Sequence, residues 1–437
     1  MADRTSTPTG ARASLSLLRR NPDFRRLYAA QLISFGGDWF MTVALFGLVD
    51  RLTDSSVFVA MTITVPELAF FLMSPVGGAL ADRLDRRKLM IAADLARAAL
   101  CLPLLLVNSQ ETVWLVFLLL AAISAFMACF EPAASASVPN VVDPEDLATA
   151  NTLIGSAWGT MLAVGAALGG LVVTFLGRDA AFIGNSVSFL LSAWLLFRVR
   201  RAFAERRDEH VEHPGVLEAT RETIAYARRD HRVLSLLGVK AGFGLAAGVL
   251  VLIALFATDV FHEGDIGIGL LMAGRGVGAL IGPFLGRSLA GPDDRRLFTA
   301  IGIALGVFGG AYMLLGLSPS LAVAIPIVLV AHLGGGAQWM LSTYGLQVVT
   351  PDRIRGRIFA FDYALVTLSL AASSFAAGWL ADAFGPRPTV IGLGGVALAW
   401  GATWWVLTRD IRRATAIEGL GTAGAGSSPR PSETERI

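Results

Sequence analysis

The sequence has few charged residues for its length. Only 16% of its 437 residues are Asp, Glu, Lys or Arg, and 54% are hydrophobic. Soluble globular domains carry about 25% charged residues, and the mean hydropathy here is +0.62. The composition therefore predicts a membrane protein and leaves little material for a soluble catalytic domain.

Motifs for nucleotide, metal or nucleophile chemistry are also missing. The chain has no Gly-x-x-x-x-Gly-Lys-Ser/Thr phosphate loop, no His-Glu-x-x-His and no Gly-x-Ser-x-Gly. Its two cysteines, Cys101 and Cys129, fall in apolar runs and are expected to be small core residues. We therefore expect a protein that is not an enzyme, has no cofactor or metal, and does not use ATP.

What the sequence does contain is long apolar runs. A hydrocarbon core about 30 Å thick needs about 20 helical residues, and runs of that length recur between charged or Pro/Gly-rich breaks. We predict an all-α membrane protein with twelve transmembrane helices. The predicted spans are 26–50, 56–81, 89–108, 112–137, 150–176, 180–199, 233–260, 266–287, 297–317, 321–348, 357–381 and 388–408.

Basic residues are concentrated on one side of these spans. Thirty Arg and Lys fall in the two termini or in connections on that side, against Arg51, Arg178 and Arg387 on the other. Because basic segments stay in the cytoplasm, we predict a multi-pass protein of the cytoplasmic (inner) membrane with both termini inside. The N-terminus has no apolar stretch typical of a cleavable signal peptide.

The longest polar interruption divides the spans six and six. Apolar residues at roughly helical spacing within it predict an amphipathic helix at the membrane surface. The predicted segments are a cytoplasmic N-terminal segment 1–25, a six-helix bundle 26–199, a linker 200–232, a second bundle 233–408 and a disordered tail 409–437.

The two halves resemble each other at an offset of about 208. Residues 85–89 align with 293–297, and Gly170 aligns with Gly378. Such a repeat predicts two related bundles with a substrate path near the membrane midplane between them. Chance similarity between apolar runs is the alternative.

The connection after span two resembles the hinge signature of the major facilitator superfamily, Gly-x-x-x-Asp-Arg-x-Gly-Arg-Arg/Lys. Asp85 stands where the family usually has Gly. The resemblance implies the major facilitator fold and transport by alternating access. The matching residues are Gly78, Asp82, Arg83, Arg86 and Arg87.

Further stretches resemble the drug and siderophore efflux branch, which includes macrolide and enterobactin exporters. They are 31–39, 93–97 and 142–147. In span five, Gly165, Gly169 and Gly170 match the antiporter signature Gly-Pro-x-x-Gly-Gly, with Ala166 in place of Pro. This resemblance implies export. We expect these glycines to let span five pack closely, with span eight as the expected partner.

The resemblance also implies a gate at the hinge, which includes Gly78. Asp82 is expected to hold the gate against the N-terminus of span eleven, since an acid stabilises a helix N-terminus. Arg83, Arg86 and Arg87 are expected to supply ion pairs that break as the bundles move apart. The alternative is that the arginines only set topology.

Two further sets of charged residues are predicted near the gate. Asp94 and Arg97 share a helix face, and Glu131 lies at a similar depth. We expect a buried cluster of these three that acts as a gate or as structural support, with substrate contact less favoured. Asp362 is expected to stabilise the N-terminus of span eleven.

Ionisable residues at membrane depth cost about 2.5–3.5 kcal/mol and are functional candidates. Asp38 lies about 18 Å into span one at 1.5 Å per residue, and Glu67 is similarly deep in span two. Burial favours the neutral carboxyl, so either acid could load a proton in one facing state and release it in the other. We predict Asp38 and Glu67 as proton-coupling residues, although Glu67 could instead cap a helix bent at Pro66.

Aromatic and polar side chains at mid-depth are candidates for a substrate cavity. Arg275 could neutralise Asp38 or Glu67 or meet an anionic substrate, whereas Lys240 is expected to snorkel. His332 is interpreted as a hydrogen-bonded core residue. The cavity candidates are Trp39, Phe70, Phe71, Phe126, Trp158, Arg275, Gln338, Trp339 and Tyr344.

The sequence thus predicts a secondary active transporter that uses the proton motive force to export apolar or amphipathic small molecules such as drugs or siderophores. An uptake symporter or a uniporter of a metabolite or lysolipid is the alternative. A receptor or scaffold is a further one and would need no midplane acids. The expected partners are the small-molecule substrate, protons and the lipid bilayer, without nucleic acid, and we expect a monomer.

Overall fold

The computed structural model describes residues 11–201, 203, 216–290 and 294–413. Twelve of its helices are long and apolar enough to cross a membrane, which confirms the predicted fold class. We number them α1 to α12. Their bounds are Pro22–Thr53, Ser56–Arg83, Arg86–Cys101, Trp114–Val141, Leu147–Leu176, Arg178–Phe197, His231–Ala246 (with Val249–Leu255 and the π-turn Phe256–Val260), Gly264–Ala290, Asp294–Gly316, Leu321–Val349, Asp352–Phe384 and Pro386–Leu407.

Polar caps place several helix ends outside the predicted apolar runs. The Asn21 side chain accepts a hydrogen bond from the Phe24 N–H at 2.9 Å, with Pro22 as the first helical residue. Asp85 likewise accepts from the Lys88 N–H at 2.9 Å and begins α3. The residue that departs from the family hinge signature is therefore an N-cap.

Two shorter helices lie outside the membrane spans. The N-terminal helix Ala11–Arg20 was not predicted, and its Leu17 is fully buried. The linker helix Val216–Arg229 lies within the predicted linker. It contacts α11 through an ion pair between Glu222 and Arg357. The tail beyond residue 413 lies outside the described residues.

The buried apolar residues show how the two bundles meet. We call the face with the N-terminal and linker helices the basic face. One large cluster lies towards the opposite face and draws on both bundles, for example Val49 and Leu255. Two separate clusters lie towards the basic face, one only in the first bundle around Phe130 and one only in the second around Phe298. Among the described residues, the bundles therefore share one buried core towards the opposite face and have separate buried cores towards the basic face.

Two helix pairs form most of the contact between the bundles. In the α2–α11 seam, the Thr64 hydroxyl donates to the Ala371 carbonyl at 3.2 Å. In the α5–α8 seam, a Cβ on Gly170 would lie 3.1 Å from the Cα of Gly269. Small residues allow this approach.

The predicted glycine face of α5 has two partners. Gly170 faces α8 as expected, but Gly165 and Gly169 face α1. A Cβ on Gly165 would lie 3.1 Å from the Gly36 carbonyl oxygen, and one on Gly169 would lie 3.0 Å from the Cα of Phe40. The expectation that all three glycines pack against span eight was therefore wrong for Gly165 and Gly169, which lie on a different side of the helix.

Candidate functional site

A buried arginine organises the centre of the first bundle. The Arg97 side chain is 2% exposed. Its guanidinium forms an ion pair with Asp94 on the same helix, donates to the Ser34 hydroxyl at 3.4 Å, and lies 4.0 Å from Asp38 on α1. Asp94 also accepts from the Ser192 hydroxyl at 2.6 Å. One cation thus serves two carboxylates.

Aromatic rings enclose the same guanidinium. Its central carbon lies 4.2 Å from the centre of the Phe189 ring and 4.9 Å from that of Phe130. A cation between two rings in an apolar setting gains from both. Arg97 therefore holds α1, α3, α4 and α6 together, in agreement with a structural role for the predicted cluster.

Glu131 differs from its predicted place in that cluster. It lies within electrostatic range of Arg97 and Asp38, but among the described residues it has no hydrogen bond or ion pair to Arg97. The second acid at Arg97, beside Asp94, is Asp38. The prediction missed this because Asp38 precedes Arg97 by a whole membrane span.

Glu67 lies on the α2 face that forms the α2–α11 seam. Thr64, three residues before it, bonds to α11, and Phe70, three residues after it, packs on Tyr363 of α11 with ring centres 5.7 Å apart. Residues three apart share a helix face. Glu67 is half-buried, and within the described part of the chain no hydrogen bond or ion pair reaches its carboxylate. It therefore sits within the α2–α11 contact, between two pairs of residues that join the bundles.

Pro66 fixes the local geometry beside this acid. The Pro66 carbonyl accepts a hydrogen bond from the Ser124 hydroxyl of α4 at 2.6 Å. The α2 backbone is thereby tied to α4 next to Glu67. The alternative interpretation of Glu67 as a helix cap does not fit, because α2 begins eleven residues earlier at Ser56.

The second bundle contains its own buried ion pair. Lys240 of α7 pairs with Asp362 of α11, and the Lys240 ammonium lies 4.8 Å from the centre of the Trp339 ring. Asp362 lies ten residues inside α11, which begins at Asp352. The expectation that it stabilises this helix N-terminus was therefore wrong. Lys240 does not snorkel either, since it is 4% exposed and paired.

Arg275 is buried on α8 beside the first bundle. Its guanidinium carbon lies 5.5 Å from the centre of the Trp39 ring, next to Asp38 in sequence. His332 is 3% exposed, and its Nε2 lies 2.7 Å from the Tyr312 hydroxyl. This confirms His332 as a hydrogen-bonded core residue.

The remaining cavity candidates fall into different environments. Gln338 is 1% exposed, and its amide has no described partner. Trp339 packs edge-on to Phe243 within the second bundle. Tyr344 lies under the Arg287 guanidinium, with 5.5 Å to the ring centre. Phe126 is 39% exposed and Phe71 is half-buried. The Trp158 side chain lies outside the described part of the structure.

The hinge arginines bind backbone carbonyls of their own bundle. Arg86 donates to Ala136 at 2.6 Å, and Arg87 donates to Leu196 at 3.1 Å. Both arginines thereby satisfy backbone carbonyls in the C-terminal parts of α4 and α6. Arg83 is exposed. The Asp82 side chain, on which the predicted gate depends, lies outside the described part of the structure.

The acidic residues at membrane depth differ in whether a neighbouring cation compensates their negative charge. Asp94 and Asp38 share Arg97, and Asp362 has Lys240. Tyr363 of α11 lies within electrostatic range of Glu67 and Glu131. Tyr363 was not predicted, although its position directly after Asp362 in span eleven was an available sign. This arrangement can hold exchangeable protons on carboxyls at the boundary between the bundles.

Comparisons with known proteins agree with this architecture. The "Putative bacilysin exporter BacE" of Bacillus subtilis (strain 168) is 26% identical over 81% of this chain and 87% of its own length. The "Uncharacterized MFS-type transporter Rv0037c" of Mycobacterium tuberculosis is 28% identical over 86% of this chain and 88% of its own length.

Solved structures show the same fold. A bacterial homologue of the human lysosomal transporter Spinster, in an inward-facing and occupied conformation, superposes with a TM-score of 0.72 at 14% identity, covering 89% of this chain and 97% of the other. A bacterial homologue of the iron transporter ferroportin, inward-facing, gives a TM-score of 0.64 at 17% identity over 88% and 98%.

The profile of one family, described as transmembrane secretion effector, matches residues 13–416. That match spans all twelve membrane helices and both bundles. The chain is therefore a membrane transporter that belongs to the transmembrane secretion effector family of the major facilitator superfamily.

Proposed function

We propose that the protein is a proton-coupled exporter of apolar or amphipathic small molecules, with Glu67 as the residue that carries the coupled proton. The observation that carries this proposal is the place of Glu67 on the α2–α11 seam, without a described cation beside it. Drug-like or siderophore-like compounds are the proposed cargo.

Orientation follows from charge. The basic face carries the N-terminal helix, the hinge and the linker helix, and basic segments remain in the cytoplasm. The described state, in which the bundles have separate buried cores towards the basic face, is therefore inward-open. Its alternate would be joined at the basic face and open to the outside.

Glu67 suits the coupling role better than Asp38. Asp38 shares the buried Arg97 cation with Asp94, so its negative charge is compensated. An uncompensated carboxylate at membrane depth favours its neutral form because desolvation penalises the charge. Protonation of Glu67 therefore removes a negative charge from the α2–α11 seam itself. Protonation of Asp38 instead changes the charge of a group that already contains the Arg97 cation.

The position of Glu67 on the α2–α11 seam also allows it to be exposed to each side of the membrane in turn. Beyond Thr64 the seam is closed towards the opposite face by α2–α11 contacts, and beyond Phe70 the bundles diverge. Rocking about this level would expose Glu67 first to one side and then to the other. A proton loaded from outside would be released to the cytoplasm as the cargo leaves in the opposite direction.

The cargo class is supported by the lining and by the relatives. Phe70 and Tyr363 meet on the α2–α11 seam, and Tyr363 is 48% exposed. Aromatic surface with few polar groups suits apolar and amphipathic ligands. The name of the Bacillus relative, "Putative bacilysin exporter BacE", favours export over uptake.

Transport direction is testable in vesicles. A growth-inhibition panel in a drug-sensitive host would first identify a compound to which the protein gives resistance. Everted membrane vesicles, acidified inside, should then accumulate that compound, and a protonophore should abolish the accumulation. Accumulation in right-side-out vesicles with an acidic exterior would instead indicate an uptake symporter.

A further inference from the structure

The α2–α11 seam carries the same five-residue pattern at both of its ends. Residues 78–82 read Gly-Ala-Leu-Ala-Asp near the end of α2, and residues 378–382 read Gly-Trp-Leu-Ala-Asp near the end of α11. The two helices run in opposite directions, since α2 ends at the basic face and α11 at the opposite face. Each copy therefore lies at the face where the partner helix begins.

At the opposite face, the copy at residues 378–382 forms hydrogen bonds across the boundary between the two bundles. The Asp382 carboxylate accepts hydrogen bonds from the Ser56 N–H at 2.6 Å, the Val57 N–H at 3.3 Å and the Ser55 hydroxyl at 3.0 Å. The first N–H groups of a helix have no partner within it. Ser55 is at the N-cap position but makes no side-chain cap bond to α2. An acid of the second bundle thus caps a helix of the first.

Gly378 allows α11 to approach the start of α2 closely at this contact. A Cβ at this position would lie 2.6 Å from the Ser56 carbonyl oxygen and 2.9 Å from the Cα of Val57. A side chain here would push α2 and α11 apart. At the other copy, nothing lies within 4 Å of a Cβ built on Gly78. One end of the seam is closed in this state and the other is open.

Among the described residues, another charged contact crosses this rim. Arg51 of α1 and Asp265 of α8 form an ion pair of 2.7 Å, but the Arg51 side chain is 53% exposed. Exposed pairs contribute little because water and salt screen them. Asp382 is exposed as well, but its carboxylate accepts from two backbone N–H groups, of which that of Ser56 is part-buried, and hydrogen bonds to a charged acceptor are stronger than neutral ones.

We propose that Asp382, seated by Gly378, is an outer latch that holds the inward-open state by capping α2 across the bundle boundary. Opening to the outside requires the latch to release the α2 N-terminus. The strength of this cap therefore sets the balance between the two facing states. The inference concerns the facing equilibrium alone and does not depend on the cargo or on the direction of transport.

The test measures the distance across the outer rim. Cys101 and Cys129 are replaced by Ala, and spin labels are attached at Gln110→Cys in the first bundle and Ser320→Cys in the second, both exposed on the opposite face. In the full chain in lipid nanodiscs, Asp382→Ala should raise the ratio of long to short distances about tenfold, because a charged helix cap is lost. Asp382→Asn should raise it less, since the amide oxygen still accepts.

Asp179→Ala is the matched control. Asp179 is an exposed acid on the same face, in the first turn of α6, and its removal should leave the ratio unchanged. A wild-type distance distribution in both Asp382 variants would overturn the proposal. If Asp382→Ala does not fold, Gly378→Val provides the same test. It should shift the ratio in the same direction, and an unchanged ratio in that variant would overturn the proposal equally.

Discussion

At the scale of single residues, the described acids divide by whether a cation compensates them. Asp38 and Asp94 share Arg97, and Asp362 has Lys240, whereas Glu67 lies on the α2–α11 seam without a described ion pair. This division leads to opposite expectations for neutralising substitutions.

The first prediction concerns coupling. Glu67→Gln should abolish gradient-driven accumulation in everted vesicles while keeping exchange of labelled for unlabelled compound, because an amide cannot load a proton. Asp38→Asn should keep gradient-driven transport within about tenfold of wild type, since Arg97 retains Asp94. An equal loss of gradient-driven accumulation in Glu67→Gln and Asp38→Asn would contradict this difference and show that the two acids act together.

The second prediction concerns the buried cation. Arg97→Met should destabilise the protein by about 3–5 kcal/mol, because Asp94 would be left buried without its partner. Thermal unfolding in detergent checks this. Arg83→Met, at an exposed position, is the control and should change stability by no more than about 0.5 kcal/mol.

At the scale of helices, the close approach of α5 and α8 depends on the absence of side chains. A Cβ at Gly276 would overlap the backbone of Ala163, whereas one at Gly306 of α9 meets nothing within 4 Å. The seam must stay close if the two bundles are to move as rigid bodies.

The third prediction follows from that contact. Gly276→Ala should lower transport at least about tenfold and reduce thermal stability, since overpacking at a tight contact costs about 1–3 kcal/mol. Gly306→Ala is the matched control and should leave both unchanged. Transport and melting temperature measured on the same preparations separate the two effects.

Helix number and rough position could be predicted from hydropathy, whereas helix ends and partners could not. α1 begins at Pro22 rather than 26 because Asn21 caps it, and α3 begins at Arg86 rather than 89 because Asp85 caps it. The glycines of α5 were recognised, but spacing alone did not show that Gly165 faces α1 and Gly170 faces α8.

At the scale of the whole molecule, long-range pairing was the part that sequence patterns did not contain. Lys240 and Asp362 are 122 residues apart. Residues that lie within one helix turn of each other, such as Asp94 and Arg97, could be paired from spacing. Pairs between helices depend on how the bundles rotate and tilt, which hydropathy does not encode.

The fourth prediction concerns the facing state. Ala360 is exposed and shares a face of α11 with Tyr363. In a background with Cys101 and Cys129 replaced by Ala, Ala360→Cys should react with a membrane-impermeant thiol reagent from the cytoplasmic side only. Ala60→Cys, in the closed part of the α2–α11 seam, should react from neither side. Labelling of Ala360→Cys from outside would contradict the assigned orientation.

The central claim, that protonation of Glu67 drives the change between facing states, has a direct measurement that needs no cargo. Spin-label distances across the outer rim are recorded from pH 5 to pH 9 in wild type, Asp38→Asn and Glu67→Gln. We expect the ratio of the two facing states to change with pH in wild type and in Asp38→Asn, and to stay constant in Glu67→Gln. A pH dependence in Glu67→Gln equal to that of wild type would contradict the account.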